Sequence, residues 1–324
     1  MIFDANTLGR RSVLALSVAA ALSFAVPGAA LAEYPEKAIE FIVPFGAGGG
    51  FDRLARALAE PLEKELGVPV VVKNSPGSGG RKGSIDLIRS RPDGYTIGMP
   101  HFVPFVTDQA LFGKEPGLDI AEFEVIAMVA EAKHFIYVPA SSSIKSLDDL
   151  KAAGEVKFTN TGLGSNAWTH ATAVANIEGF KADFVSGYKS LTEAALGAVR
   201  GDADAGVGGM HQLSGMMEDL RPIVYFHQER SPNFADTPTV VELGHPELAD
   251  LSTPYIVAAP PGTPEDVQAR LREAVSKVAA SDAYKSWIGS AGYVWANKGP
   301  DDTMKAVDGA KAVYVGIAPL IKQE

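Results

Sequence analysis

The stretch Tyr34 to Gly94, "YPEKAIEFIVPFGAGGGFDRLARALAEPLEKELGVPVVVKNSPGSGGRKGSIDLIRSRPDG", decides the fold. An apolar run, Ala38 to Phe45, enters a glycine loop at Gly46, and a second run, Val68 to Val72, leads to another at Gly77. Both runs are rich in β-branched residues and read as buried parallel strands. Between them Leu54, Leu58, Leu62 and Leu66 recur every fourth residue. That spacing predicts one apolar helix face, kinked at Pro61 and ended by Gly67. Pro92-Asp93-Gly94 is a turn signal before "YTIGM", so the order is β-α-β-α-β. Glycines after a strand let backbone N–H groups approach a ligand, and the following helix N-terminus favours negative charge. The first expectation is therefore an anion-binding α/β protein.

A second α/β half follows. Val125 to Ala140 is strand-like, and Ser146 is placed to cap a short helix closed by Gly154. "VKFTNTGLGSNAWTH" reads as a strand and glycine loop, "LTEAALGAVRG" as a helix and "ADAGVG" as a short strand. Beyond Pro264, Val267, Leu271, Ala274, Val275 and Val278 mark one face of an amphipathic helix. No internal repeat, low-complexity tract or long linker interrupts the chain, and its length predicts two domains.

The N-terminus indicates where the protein works. Arg10 and Arg11 precede the apolar run Val13 to Val26, and Ala30-Leu31-Ala32 has the small-x-small pattern of a signal-peptidase site. Residues 1–32 thus read as a signal peptide, and Pro27 and Gly28 argue against a membrane-spanning helix. Gly9-Arg10-Arg11-Ser12-Val13-Leu14 suits either a twin-arginine or an ordinary secretory route. There is no cysteine, hence no disulfide and no thiol for a lipid anchor. A soluble periplasmic protein is expected. Lys and Arg total 29 against 39 Asp and Glu, a net charge of -10, which becomes -11 once Arg10, Arg11 and Asp4 are removed. That balance argues against nucleic acid and anionic membranes as partners. It leaves small anions open, because screening confines the global field to about 8 Å.

Competing motifs fail on spacing. Gly46-Ala47-Gly48-Gly49-Gly50-Phe51 lacks the third glycine of a dinucleotide fingerprint, and the second strand ends at Asn74 with no acid for a ribose. Gly79-Gly80-Arg81-Lys82-Gly83-Ser84 lacks the order of a phosphate P-loop. There is no nucleophile elbow, no zinc-protease motif and no cysteine nucleophile, and the six histidines are scattered without metal-ligand spacing. Neither an enzyme nor a bound cofactor or metal is expected.

Ordered motifs run along nearly the whole chain after the signal. They are Tyr34-Pro35, Pro44-Phe45 with Gly48-Gly49 and Asp52, Arg56-Ala57-Leu58, Pro76-Gly77-Ser78-Gly79-Gly80 with Gly83, and Pro92 to Thr96. Gly162 and Gly164-Ser165 with His170, Gly201 with Asp204, and Ala259-Pro260 with Gly262-Thr263-Pro264 continue the series. In these the chain resembles the Bug family of solute receptors, the extracytoplasmic binding components of tripartite tricarboxylate transporters. The resemblance implies a type II periplasmic-binding fold, two doubly wound α/β lobes with a ligand cleft between them. One lobe would comprise 33–132 plus 253–324 and the other 133–252. It also implies a monomer that holds a small organic carboxylate between two opposed loops and delivers it to cognate membrane transporter subunits. A carboxylate sensor serving a signalling partner, or an enzyme using the same cleft, is the alternative.

The loops assigned by resemblance are Gly46 to Asp52 and Thr159 to Asn166. The ligand contacts expected from them and their surroundings are Phe45, Ala47, Gly48, Gly49, Gly50, Phe51 and Asp52 on one side. Thr161, Gly164, Ser165, Asn166 and Trp168 lie opposite, with Ser78 and Gly79 from the second glycine loop and Asp204. Asp52 either caps its helix or orients a water or amine. Arg81 and Lys82, which replace a usually uncharged pair, either supply charge at the cleft mouth or are solvated. Phe51 stands where relatives carry a small hydroxylic residue, and Ser186 to Ser190 replaces the family's Val-Pro-Tyr-x-Gly segment. Phe51 and Trp168 on the two loops predict a ligand with an apolar or aromatic body in preference to citrate.

Overall fold

The computed structural model describes residues 34–113, 117–213 and 215–321. The signal reading of 1–32 lies outside them. Among the described residues no helix is long and apolar enough to cross a membrane.

The opening stretch folds as read. Strands β1 (Ile39–Val43) and β2 (Val70–Asn74) flank helix α1 (Gly50–Leu66); α2 (Arg81–Ile88) and β3 (Thr96–Gly98) follow. Strands β2 and β3 pair in parallel on either side of β1. Leu54, Leu58 and Leu62 are fully buried, so the leucine period is the face that α1 packs on the sheet. The helix runs through Pro61 to the left-handed Gly67 at its C-cap. Helix α3 (Val103–Phe112) leads to β4 (Glu124–Lys133) and β5 (Phe135–Pro139).

Two sheets result, ordered β2-β1-β3-β10-β4-β11 and β7-β6-β8-β5-β9. The second contains β6 (Glu155–Thr159), β7 (Lys181–Val185), β8 (Ala205–Gly208) and β9 (Leu220–Tyr225). Its connections are α4 (Leu147–Ala153), α5 (Asn166–Glu178), α6 (Leu191–Val199) and the single turn α7 (Met210–Leu213). Ser146 caps α4 by accepting the Asp149 N–H at 3.2 Å, as its position predicts. The chain crosses between sheets twice, at His134 between β4 and β5, and between β9 and β10 (Ser252–Ala259). Strand β10 pairs antiparallel with both β3 and β4. Helices α8 (Glu265–Ala280) and α9 (Asp282–Ala291), β11 (Val294–Lys298), α10 (Pro300–Gly316) and α11 (Ala318–Ile321) complete the chain. A single apolar cluster takes in Ile42 and Phe102 near the first sheet, Phe158 and Val174 near the second, and Tyr314 of α10. This mixed α/β architecture has the two sheets and the intervening cleft that the motifs predict.

Candidate functional site: a neutral cleft between the two sheets

Loops at the C-terminal ends of strands from both sheets converge on one cavity, the usual ligand position in doubly wound folds. It contains about 380 Å³ of empty space, part of it open to solvent. From the first sheet come Phe45 of the β1–α1 loop, Gly50 and Phe51 of the first turn of α1, and His101 after β3. The rings form one surface, with centroids 4.8 Å apart for Phe45 and Phe51, 5.2 Å for Phe45 and His101, and 4.5 Å for Phe51 and Tyr255. From the second sheet come Thr161, Asn166, Ser190, Leu191 and Gln212. His134, on the crossover between β4 and β5, and Thr253 and Tyr255, in the first half of β10, supply the rest. No Lys, Arg, Asp or Glu is among these lining residues.

Helices α1, α5 and α6 all begin at this cavity, and the first N–H groups of a helix have no partner within it. Gly50 is required at the start of α1, since a Cβ there would lie 2.6 Å from the His211 ring. Ser190 caps α6 by accepting the Glu193 N–H at 3.1 Å, while Glu193 accepts from the Lys189 N–H at 2.7 Å. This is a capping-box arrangement displaced by one residue.

The cleft is drawn together by direct bonds. Gly46 N–H donates to the Lys189 carbonyl at 2.8 Å. Arg81 Nη1 donates to the Leu163 carbonyl at 2.9 Å while its head pairs with Asp108 at 2.8 Å. Arg53 Nη1 donates to the His211 carbonyl at 2.6 Å. The Asn166 side-chain amide lies between His101 Nε2 at 2.7 Å, Thr253 Oγ1 at 2.6 Å and the Tyr314 hydroxyl at 3.1 Å.

Burial keeps the histidines here neutral. It pushes His101 and His170 down to about 4 and His211 to about 3, with His134 well below its ordinary value. His170 does not reach the cavity; its Nδ1 donates to the Asn166 carbonyl at 2.6 Å, locking the first turn of α5.

Of the residues expected from sequence, Phe45, Gly50, Phe51, Thr161 and Asn166 line the cavity. Ala47 and Gly48 are exposed, and Gly49 is buried beneath the loop, its N–H donating to the Gly46 carbonyl at 3.2 Å. Asp52 points away: its carboxylate accepts from Gly48 N–H at 2.8 Å, Asn74 Nδ2 at 2.9 Å and Arg56 Nε at 3.0 Å. Burial alone would raise its pKa, but the Arg56, Gly48 and Asn74 hydrogen bonds together lower it. Ser165 is the N-cap of α5, its Oγ accepting the Trp168 N–H at 3.4 Å. Trp168 turns into the second lobe's core, 5.9 Å from the Phe184 ring. Asp204 is exposed and accepts the Lys157 N–H at 2.9 Å, holding β8 to β6. Ser78 is exposed, and Gly79 and Gly164 pack where the two glycine loops meet. Arg81 spans the cleft mouth without lining the cavity, and Lys82 pairs with Asp86 at 2.7 Å.

His101, His134, Ser190, Leu191, Gln212, Thr253 and Tyr255 were not anticipated. The end of "YTIGMP" pointed toward His101 by the strand-end rule applied to the first two loops. Nothing local marks Thr253 or Tyr255, which reach the cavity because β10 starts where the chain returns from the second sheet.

The profile of the tripartite tricarboxylate transporter family receptor matches residues 54–314. The BugT protein of Bordetella pertussis is 30% identical over 281 residues, covering 83% of this chain and 85% of that protein. The structure of the periplasmic binding protein BugD superposes with a TM-score of 0.81 at 24% identity, covering 90% of this chain and 100% of that one. A Rhodopseudomonas palustris protein, Rpa4515 with adipate, has a TM-score of 0.81 at 22% identity, covering 89% and 98%. With a match across most of its length, this chain belongs to the tripartite tricarboxylate transporter receptor family.

Proposed function

We propose that the protein captures a small organic carboxylate with an apolar or aromatic body and delivers it to the membrane subunits of a tripartite tricarboxylate-type transporter. The observation that carries this reading is the cavity lining: helix N-termini from both sheets, hydroxyl groups, aromatic rings and no charged side chain. Helix-end N–H groups and hydroxyls suit one carboxylate held without a counter-ion. Phe45, Phe51, Leu191 and Tyr255 suit a hydrocarbon body, and a compact, highly charged acid such as citrate would leave charge against these rings unpaired. The family is one of solute-binding receptors, and a protein of the same fold carries adipate. In this reading residues 1–32 direct export to the periplasm. A lobe of 33–132 plus 253–324 closes on 133–252 about the crossovers, and closure is the form the transporter recognises.

Mass spectrometry of small molecules released from the denatured protein identifies what it carries, and calorimetry across aliphatic, aromatic, di- and tricarboxylic acids ranks affinity. Aromatic or longer-chain acids are expected above citrate. Phe51→Thr should compress that ranking by about tenfold, the worth of one large apolar contact. Trp168→Ser should leave the ranking unchanged. Citrate at the head of the wild-type order would refute the selectivity.

A further inference from the structure

Four cavity-lining side chains stand in series from the Gly79 carbonyl: His101, Asn166, Thr253 and His134. Their hydrogens can be assigned from chemistry. His101 Nδ1 lies 3.0 Å from the Gly79 carbonyl, which can only accept, so Nδ1 carries the proton. The ring is fully buried, and burial, aided by the charge of Arg81, holds it neutral at pH 7. Its Nε2, 2.7 Å from the Asn166 amide, is therefore a lone pair and needs an N–H. With Oδ1 toward His101, both ring nitrogens would face acceptors, which only an imidazolium satisfies. The neutral ring sets the amide the other way round, NH₂ toward His101 and oxygen toward Thr253 and Tyr314. Both of those partners are hydroxyls and can donate, across 2.6 and 3.1 Å.

The consequence passes down the series. Thr253 has one hydrogen, now given to Asn166, so across its long 3.4 Å contact with His134 Nε2 it must accept. Nε2 of His134 then carries that ring's proton, and Nδ1 is a lone pair. His134 is 1% exposed and lines the cavity, and its Nδ1 is buried with no partner among the described protein groups. A buried acceptor without a donor is costly. A carboxylate oxygen cannot relieve it, being an acceptor itself.

We propose that the ligand carries a hydroxyl or amine besides its carboxylate, and that this group donates a hydrogen bond to Nδ1 of His134. This rests on the reading of the cleft as a carboxylate site. The inference makes His134 a specificity-determining residue and the ligand a hydroxy or amino acid in the chemical sense.

The test is calorimetry with matched acids: malate against succinate, mandelate against phenylacetate, and phenylalanine against phenylpropionate. The donor-bearing member of the best-binding pair should be about tenfold tighter or more. His134→Phe should abolish that preference. Thr253→Val, which frees His134 to move its proton to Nδ1, should narrow it. Should either variant fail to fold, heteronuclear NMR of histidine-labelled wild type reads the tautomer directly, with the proton expected on Nε2 of His134. Binding of plain acids equal to or tighter than their partners in every pair, or a proton on Nδ1, overturns this proposal and leaves the carboxylate reading standing. Failure of every acid to bind overturns both.

Discussion

Asp52 shows how a residue's chemistry is decided by its neighbours. The carboxylate is 2% exposed and fully occupied by Gly48, Asn74 and Arg56, so it shapes the first glycine loop from behind. Asp52→Ala would leave the Gly48 N–H without its acceptor and the Asn74 amide with only the Phe45 carbonyl. The expected cost is about 2 kcal/mol, read as a lower urea midpoint at unchanged slope. The sequence offered Asp52 as either a cap or a cleft group; the structure gives it the return arm of a cap, reaching one residue beyond the helix start. Phe51 and Trp168 looked equivalent, each on or beside a glycine loop. Their difference is one of helical phase: Phe51 falls on the cavity face of the first turn of α1, whereas Trp168 falls on the face of α5 that packs on Phe184. Local sequence gave the loops but not the phase, because where each helix axis points depends on its sheet.

Elements were more legible than side chains. The leucine period of α1, the cap at Ser146 and the apolar face of α8 each rest on one element's own pattern, and each appears as read. Pairing between distant strands is different: β10 lies between β3 and β4, and no local pattern in Ser252–Ala259 announces either neighbour. Gly83 illustrates a motif glycine whose reason is packing between elements. A Cβ there would stand 2.5 Å from Pro44 Cα and 2.8 Å from the Ser75 carbonyl, both backbone atoms, so α2 approaches β1 only without a side chain. Gly83→Ala should destabilise the protein by about 1 to 3 kcal/mol. Its effect should appear in the thermal midpoint, and residual binding at low temperature should keep the wild-type order of acids.

At the scale of the molecule, neutral buried histidines from both sheets couple stability to pH. An unfolded histidine titrates near 6.5. The folded values of His101 and His170 near 4, and the still lower ones of His134 and His211, mean that the unfolded chain binds more protons between those limits. Stability is therefore full above about pH 6.5 and falls as pH drops toward 4, by at most about 1.4 kcal/mol per pH unit for each ring. Urea unfolding at pH 7, 6 and 5 should show this decline, and His170→Gln should flatten it; a constant midpoint would contradict the burial argument. Arg81 belongs to the same scale, since it joins Leu163 on one side of the cleft to Asp108 on the other. Arg81→Ala should favour the open form, raising the radius of gyration in X-ray scattering and weakening the apparent affinity roughly tenfold without altering the order of acids. The Gly46–Lys189 and Arg81–Leu163 bonds join protein to protein, so they are available with or without cargo. If the proposed closure operates, it would accordingly have a resting population of its own. For a membrane partner that selects the closed shape, empty closed receptors are competitors for its docking sites, and their number rises with expression. Uptake would then peak at an intermediate receptor abundance and decline beyond it, a traffic limit set by two hydrogen bonds outside the cavity.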